Sequence, residues 1–212
     1  MKQAYIFINS KINKKSLSRL IINKNDLLIG VDDGAKNILN LGLTPKVVVG
    51  DFDSLNQKII TQLTQKRVRL IKYPKDKDFT DSQIALDFAV KQKIKRVIFV
   101  GLTGNRLDHV LTNLFFIVHP RYRHLDISFL DNKQSIYIVK KSLVLTGHKN
   151  DRISLIPLFN NVTGIITSSL KFLLNNETLY LGDSRGINNV MTGSTANITI
   201  KTGLLMIIHQ NS

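Results

Sequence analysis

The chain has 212 residues, of which 30 are Lys or Arg and 15 are Asp or Glu, so its formal net charge is +15. It contains no cysteine, which excludes disulfides and thiolate metal sites and is typical of a cytoplasmic protein. No apolar run reaches the roughly 18 residues that a membrane-spanning helix needs, so we expect no membrane partner. The positive charge suggests nucleic-acid binding as an alternative, but the lysines are spread along the chain without interleaved aromatics. We therefore expect no nucleic-acid partner.

The first part of the chain alternates predicted strands and helices, and its strands end at acidic turns. A strand is predicted over residues 4–8 and a helix over residues 16–22. A second apolar strand, residues 27–31, ends at Asp32, Asp33 and Gly34, and helical spacing of apolar residues follows. This second strand therefore delivers carboxylates to a glycine turn.

The third strand, residues 47–49, runs directly into Gly50-Asp51-Phe52-Asp53-Ser54. Two aspartates one residue apart at a strand end project into the same space when the chain bends there. Ligands of open α/β sheets bind outside the carboxyl ends of strands, and carboxylate oxygens there suit Mg²⁺. The structural alternative is a turn in which Ser54 caps a helix predicted over residues 55–63.

A fourth strand, residues 68–71, precedes a loop that contains Asp76 and Asp78. Thr80-Asp81-Ser82-Gln83 then has the form of a capping box, which predicts that the next helix begins here. A carboxylate in the first helical turn complements the helix dipole, so Asp81 has a structural interpretation. The same helix N-terminus also favours bound phosphate.

A fifth strand, residues 96–100, is followed by a glycine-containing loop with Gly104, Arg106, Asp108 and His109. Helical spacing resumes over residues 110–118. A glycine turn at a helix start offers N–H groups to phosphate, and an arginine can bind phosphate through two hydrogen bonds. We interpret His109 as a packed or capping residue.

The pattern of predicted elements changes near residue 140, after which only strands are predicted. Strands are predicted before it at residues 127–130 and 135–139, and after it at residues 141–145, 152–156, 164–167, 178–181, 195–201 and 204–209. We expect an α/β N-terminal domain with a mostly parallel sheet and right-handed crossovers, residues 1–140. A small all-β sandwich domain follows, residues 141–212. Because that domain is small for independent stability, we expect it to pack on the first domain or on a second copy.

The residue types at these strand ends indicate a Mg²⁺-nucleotide site. The sequence lacks a P-loop with Lys-Ser/Thr, a GxGxxG turn after a strand, a histidine-rich zinc site and a plausible Ser-His-Asp arrangement. Transfer of a phosphoryl-type group needs positioned phosphates and neutralised charge, which carboxylate-held Mg²⁺ and an arginine supply. One of the acids could also take the proton of an attacking hydroxyl.

The order and approximate spacing of these motifs resemble the thiamin pyrophosphokinase family. In the first domain the resemblance rests on the acidic turns, and in the second domain it rests on three further segments. Together they extend the resemblance over nearly the whole chain. These segments are Ser154-Leu155-Ile156-Pro157-Leu158, Leu170-Lys171-Phe172-Leu173-Leu174 and Gly186-Ile187-Asn188-Asn189.

The resemblance implies an enzyme that transfers the diphosphate group of ATP to the hydroxyl of thiamin, giving thiamin diphosphate and AMP. It also implies a catalytic, nucleotide- and Mg²⁺-binding first domain, a thiamin-binding second domain, and a homodimer with thiamin bound between subunits. By the same resemblance the metal ligands are Asp32, Asp51, Asp53 and Asp81, and the last three of these are catalytic. The implied nucleotide contacts are Thr80, Arg106, Asp78, Ser54 and Gly104, and the implied thiamin contacts are Phe172, Asn188 and Asn189. Asp108 orders its loop.

The chain departs from the family pattern at a few positions. Asp33 and Ser169 stand where the family usually has glycine, and Asn188 stands where it usually has serine. Phe172 replaces the more usual Tyr or Trp and keeps an aromatic face for stacking. These changes leave open a related pyrophosphokinase that acts on another alcohol, such as a pterin. A non-enzymatic nucleic-acid-binding or ligand-sensing protein is the alternative from a different class.

Overall fold

A computed structural model describes residues 2–8, 10, 12–17, 20–74, 76, 78–102 and 106–211. The chain folds as two compact units that divide between Asn132 and Lys133, whereas the sequence placed the boundary after residue 140. The difference arises because the strand Gln134–Val139 pairs with the strand Thr202–Gln210 and so belongs to the second unit.

The first unit alternates strands and helices along the chain. Its elements are β1 (Ala4–Phe7), α1 (Lys14–Leu17), β2 (Leu27–Val31), α2 (Gly34–Asn40), β3 (Val47–Gly50), α3 (Gln57–Gln65), β4 (Arg69–Lys72), α4 (Asp81–Lys91), β5 (Arg96–Val100), α5 (Leu107–Phe115) and β6 (Asp126–Leu130). A short 3-10 turn, Phe116–Val118, continues α5. The predicted helix over residues 16–22 is seen as the shorter α1, and residues 18 and 19 of that prediction lie outside the described residues.

The six strands form one parallel sheet in the order β4-β3-β2-β1-β5-β6. Every residue of β1, β2 and β3 is buried, as expected for strands of a parallel sheet covered by helices. The chain adds β2, β3 and β4 on one side of β1, then β5 and β6 on the other. All carboxyl ends of the strands therefore meet at one edge, and the order reverses between β1 and β5.

The second unit is entirely antiparallel. Its strands are β7 (Gln134–Val139), β8 (Ser142–Thr146), β9 (Arg152–Ser168), β10 (Asn175–Leu179), β11 (Asn189–Val190), β12 (Thr195–Thr199) and β13 (Thr202–Gln210). β13 lies between β7 and β9, and β12 lies between β9 and β8, while β10 and β11 also pair with β9. These pairings confirm the predicted sandwich-like all-β part.

Strand β9 corrects one detail of the sequence analysis. The strands predicted over residues 152–156 and 164–167 are parts of this single 17-residue strand. Its first half pairs with β13 and its end pairs with β12, so β9 takes part in both sheets of the unit. Positive φ angles at Phe159 (64°) and Gly164 (64°) bend it without ending it. The core of the unit is apolar and includes Ile153, Leu155 and Leu205.

In the described part of the chain, none of the helices is long and apolar enough to cross a membrane.

Candidate active site

Asp32 follows β2 directly, and its carboxylate lies over the end of the neighbouring strand β3. The backbone of Asp32 has a φ of 45°, a left-handed conformation that aspartate adopts more readily than most residues. Its N–H donates to the carbonyl of Val49 at 3.0 Å, and its Oδ1 accepts from the N–H of Phe52 at 3.4 Å. The carboxylate is therefore directed at the turn that carries the next acidic pair.

Gly50 makes room for this carboxylate. A Cβ atom at position 50 would lie 1.7 Å from Oδ1 of Asp32 and 2.5 Å from its Cγ, and the φ of Gly50 is +153°. Any other residue at this position would push the carboxylate of Asp32 away. Gly50 thus has a steric function that the neighbouring residues in the sequence do not indicate.

Asp51 and Asp53 lie in the turn after β3. The N–H of Asp53 donates to Oδ1 of Asp51 at 3.0 Å, and Phe52 between them has a φ of 65°. Asp51 is half-buried and Asp53 is exposed. Because Val31 of β2 is in register with Val49 of β3, Asp32 and Asp51 come from the ends of adjacent parallel strands.

The interpretation of Ser54 as a helix cap is wrong. Helix α3 begins later than predicted, and its N-cap is Asn56, whose Oδ1 accepts from the N–H of Ile59 at 2.9 Å. Ser54 is exposed, and its carbonyl accepts from Nζ of Lys36 at 3.2 Å. The hydroxyl of Ser54 is thus not needed for the helix start.

Asp33, the acid that departs from the family pattern, forms an ion pair with a residue of the helix that follows it. Nζ of Lys36 lies 2.7 Å from Oδ1 of Asp33, in an i,i+3 ion pair. Both side chains are partly exposed, so the pair contributes little to stability. The pair nevertheless gives the additional carboxylate a cation of its own, beside the turn of Asp32.

Gly34 brings the start of α2 close to the end of β1. A Cβ atom on Gly34 would lie 1.9 Å from the carbonyl oxygen of Phe7. The close approach fixes the acidic turn of Asp32 and Asp33 against the sheet.

The start of α4 confirms half of the predicted capping box. The side chain of Thr80 accepts from the N–H of Gln83 at 3.2 Å, which makes Thr80 the N-cap. The reverse bond, from the N–H of Thr80 to the side chain of Gln83, is not seen between these two described residues, so the box is not completed. Asp81 is half-buried in the first helical turn, and Asp78 is exposed in the preceding loop.

Arg106 and Asp108 form an exposed two-point ion pair at the start of α5. The distances are 3.2 Å from Nε to Oδ1 and 2.5 Å from Nη2 to Oδ2. The hydrogen bond from Arg106 lowers the pKa of Asp108 to about 2. Oδ1 of Asp108 also accepts from the N–H of His109, whose side chain is exposed rather than packed. Gly104 lies outside the described residues.

The carboxyl edge of the parallel sheet offers oxygen ligands for a divalent cation. Among the residues that the structure describes, no three Asp, Glu or His side chains lie close enough together to hold a metal ion between them. Mg²⁺ usually binds through one or two carboxylates and completes its shell with water and substrate phosphates. The donor chemistry of the edge fits that mode, because Asp32 and Asp51 come from adjacent strand ends.

In the second unit, Asn189 fixes the backbone of Phe172. Oδ1 of Asn189 accepts from the N–H groups of Phe172 (3.0 Å) and Val190 (2.8 Å), and its Nδ2 donates to the carbonyl of Phe172 at 2.7 Å. Asn189 is buried, whereas the side chain of Phe172 is 60% exposed. Asn188 is exposed and has a φ of 60°. Asn189 is therefore built into the loop, and Phe172 and Asn188 face outward.

Lys171 lies beside the exposed ring of Phe172. Its Nζ is 5.4 Å from the centre of the ring, a distance at which a cation is attracted to the aromatic face. The ring thus already attracts one cation in this loop.

A buried pair in the second unit was missed by the sequence analysis. Nε2 of His209 lies 2.7 Å from Oδ2 of Asp151, and both residues are buried. The same oxygen accepts from the N–H of His148 at 2.8 Å. A Cβ atom on Gly147 would lie 2.7 Å from this oxygen. Because the partners are distant in sequence, no local spacing could have indicated the pair.

Comparisons with known proteins match both units. Residues 18–129 match the family model described as "Thiamin pyrophosphokinase, catalytic domain". Residues 137–205 match the model described as "Thiamin pyrophosphokinase, vitamin B1 binding domain". A thiamine pyrophosphokinase from Bacillus subtilis (strain 168) is 28% identical over 188 residues, which are 88% of this chain and 88% of that protein.

Solved structures give the same result. The crystal structure of thiamine pyrophosphokinase from Bacillus subtilis has a TM-score of 0.87 and 25% identity, with 100% of both chains covered. The crystal structure of thiamin pyrophosphokinase from Geobacillus thermodenitrificans has a TM-score of 0.81 and 26% identity, with 99% of this chain and 98% of that chain covered.

Proposed function

The chain belongs to the thiamin pyrophosphokinase family, and we propose that its reaction takes place at the carboxyl edge of the parallel sheet. In this reaction the diphosphate group of ATP is transferred to the hydroxyl of thiamin, and AMP is released. The bond from the thiamin oxygen to the β-phosphorus forms, and the bridging bond to the α-phosphate breaks.

The observation that carries this placement is the relation of Asp32 to the turn after β3. Its carboxylate lies over Gly50 and accepts from Phe52, next to Asp51. Carboxylates from two adjacent parallel strands are thus held at the edge where open α/β sheets bind ligands.

The metal proposed for this site is Mg²⁺, which one or two of the predicted ligands Asp32, Asp51, Asp53 and Asp81 would hold, together with water and the phosphates of ATP. When bound, the ion neutralises charge on the phosphates of ATP. The carboxylates that do not contact the metal at a given moment are suitable acceptors for the proton of the thiamin hydroxyl. Asp51, Asp53 and Asp81 are the candidates for this step.

The nucleotide is held by the loops that precede α4 and α5. Because the hydroxyl of Thr80 already caps α4, Thr80 contributes mainly by presenting the helix N-terminus to phosphate. Arg106 is restrained by Asp108, and its guanidinium has five N–H donors, so it can bind phosphate while it keeps this partner. Asp78, Ser54 and Gly104 complete the predicted nucleotide contacts.

Thiamin is held by the loop of Phe172 and by Asn188 in the second unit. The exposed ring of Phe172 offers an aromatic face to the cationic thiazolium. Asn189 fixes the position of this ring indirectly, through its hydrogen bonds to the backbone of Phe172. The direct thiamin contact of Asn189 stays a prediction beside this supporting role.

The protein is proposed to act as a cytoplasmic homodimer. The absence of cysteine supports the cytoplasmic location. Support for a dimer comes from Leu107, Leu111 and Phe115, which are exposed and lie on one face of α5. Sedimentation equilibrium tests this, since a monomer at assay concentrations would contradict the proposal.

Incubation of the purified protein with ATP, Mg²⁺ and thiamin tests the reaction, with chromatography of the products. We expect thiamin diphosphate and AMP in equal amounts, and neither product in EDTA. Release of ADP, or breakdown of ATP without thiamin, would contradict the assigned reaction. A pterin supplied in place of thiamin serves as the acceptor control.

A further inference from the structure

The first unit contains a cavity of about 430 Å³ at the edge of the sheet opposite the acidic turns. Leu28 near the start of β2 lines it, together with Lys46, which immediately precedes β3. Lys66 and Arg67, which follow α3, complete this side. Because Leu28 lines the cavity and β2 rises by about 3.3 Å per residue, the cavity lies roughly 13 Å from the turn of Asp32.

Four of the eleven residues that line the cavity are cationic, namely Lys24, Lys46, Lys66 and Arg67. In the whole chain only 30 of 212 residues are Lys or Arg, so the cavity is enriched in positive charge even for this basic protein. Among the described residues, none of the four forms an ion pair. Their charge is therefore available to an anion.

Among the described residues, the one acid in the lining, Asp26, forms no ion pair with these cations, and its oxygens accept from N–H groups within the fold. Oδ1 of Asp26 accepts from the backbone N–H of Gln3 at 3.1 Å. Oδ2 accepts from the N–H of Asn23 at 2.8 Å and from Nε2 of Gln3 at 3.3 Å. Asp26 thus fixes the wall of the cavity, and its single negative charge is outnumbered by the four cations of the lining.

The floor of the cavity is apolar. Leu28 and Pro45 are buried, and Ile22 and Leu43 are half-buried. The volume lies in the range of small-molecule sites, which combine apolar walls with a few polar or charged groups. An apolar floor with a cationic rim suits a molecule that has an apolar or planar body and a phosphate.

We propose that this cavity is a second ligand site, separate from the catalytic edge, for a small phosphorylated molecule. The phosphate binds Lys46, Lys66 and Arg67, and the body of the ligand covers Leu28 and Pro45. This site does not depend on the reaction assigned to the carboxyl edge.

An amide NMR titration of the full chain with AMP in EDTA tests the proposal residue by residue. We expect saturable shifts at the amides of Leu28, Thr44 and Arg67, and no such shifts with adenosine. Shifts confined to the residues after β2 and β3 would show that AMP binds only at the catalytic edge and would overturn the proposal. An equal response to adenosine would overturn the role of the phosphate.

Two variants with the same loss of charge separate a built site from diffuse attraction. In Lys46→Gln/Lys66→Gln we expect the dissociation constant at the cavity amides to rise at least tenfold. In the control, Lys91→Gln/Lys141→Gln, two exposed lysines outside the cavity are changed, and we expect the constant to stay within twofold. Equal weakening in both variants would mean that only the net charge attracts AMP.

Discussion

Gly50→Ala tests whether the catalytic edge depends on the close approach of Asp32 to Gly50. The new Cβ atom would lie 1.7 Å from Oδ1 of Asp32, whereas ordinary contacts are about 3.5–4.0 Å, so the carboxylate must move by roughly 2 Å. A displacement of about 1 Å in an active site can lower turnover about a hundredfold. We therefore expect kcat/KM for thiamin diphosphate formation to fall at least about a hundredfold.

The backbone of Gly50 contributes a second effect that must be separated from the first. Alanine at a φ of +153° is strained by about 1–3 kcal/mol, and this strain lowers stability without any effect on Asp32. Gly42→Ala is the matched control, because Gly42 has a φ of +73° and nothing lies within 4 Å of its new Cβ atom. The control should lose stability and keep its turnover.

Turnover is measured by chromatography of thiamin diphosphate, and folding by thermal unfolding followed by circular dichroism. A folded Gly50→Ala protein with the turnover of the unchanged chain would refute the argument. A double-mutant cycle with Asp32→Asn adds a further test, because both changes act on the same carboxylate and their effects should not add.

Three further predictions concern the turn of Asp51, the loop of Phe172 and the ion pair of Asp108. Asp51→Asn keeps an oxygen that can accept from the N–H of Asp53, but it loses the negative charge. Turnover should therefore fall about a hundredfold or more, with an unchanged melting temperature. Unchanged turnover would remove Asp51 from the site. Asn189→Ala removes three hydrogen bonds, which should destabilise the fold by about 2–3 kcal/mol. The KM for thiamin should rise more than the KM for ATP. Equal changes in the two KM values would contradict the role of the Phe172 loop in binding thiamin. In carboxyl NMR titrations Asp108 should have a pKa of about 2 because of its hydrogen bond with Arg106, so the stabilisation from this pair is present above a pH of about 4 and is lost as the pH falls through about 2. Arg106→Ala should return this pKa to its ordinary range, and a low pKa in that variant would contradict the assigned cause.

The sequence allowed the parallel sheet and its acidic edge to be predicted because both depend on local patterns. Short β-branched runs such as Val47–Gly50 indicate buried parallel strands, and consecutive parallel strands place their ends at one edge. Asp32 and Asp51 were therefore assigned to the same edge from their positions alone. The N-cap of α4 was also predictable, because Thr80 and Gln83 are three residues apart.

Other features depend on contacts between residues that are distant in sequence or on exact backbone angles. The steric role of Gly50 depends on a side chain from another strand, and the role of Asn189 depends on the backbone of Phe172. The ion pair of Asp33 and Lys36 has helical i,i+3 spacing and could have been found from the sequence. It was missed because the sequence analysis treated Asp33 only as part of the acidic turn before the helix and did not compare it with Lys36.

The path of β9 has a consequence for how the second unit folds. In the first unit, β1 must pair with the distant strand β5, while the other neighbouring strands are also consecutive along the chain and are joined by single crossovers. In the second unit, β9 must pair with β13, and β13 must also pair with β7, in a register that joins Gln134 to Gln210. High contact order slows folding, so we expect the docking of β13 between β7 and β9 to be a slow step in the folding of the second unit. Until β13 docks, β7 and β9 present open edges, and this interval is when the protein is most prone to aggregate.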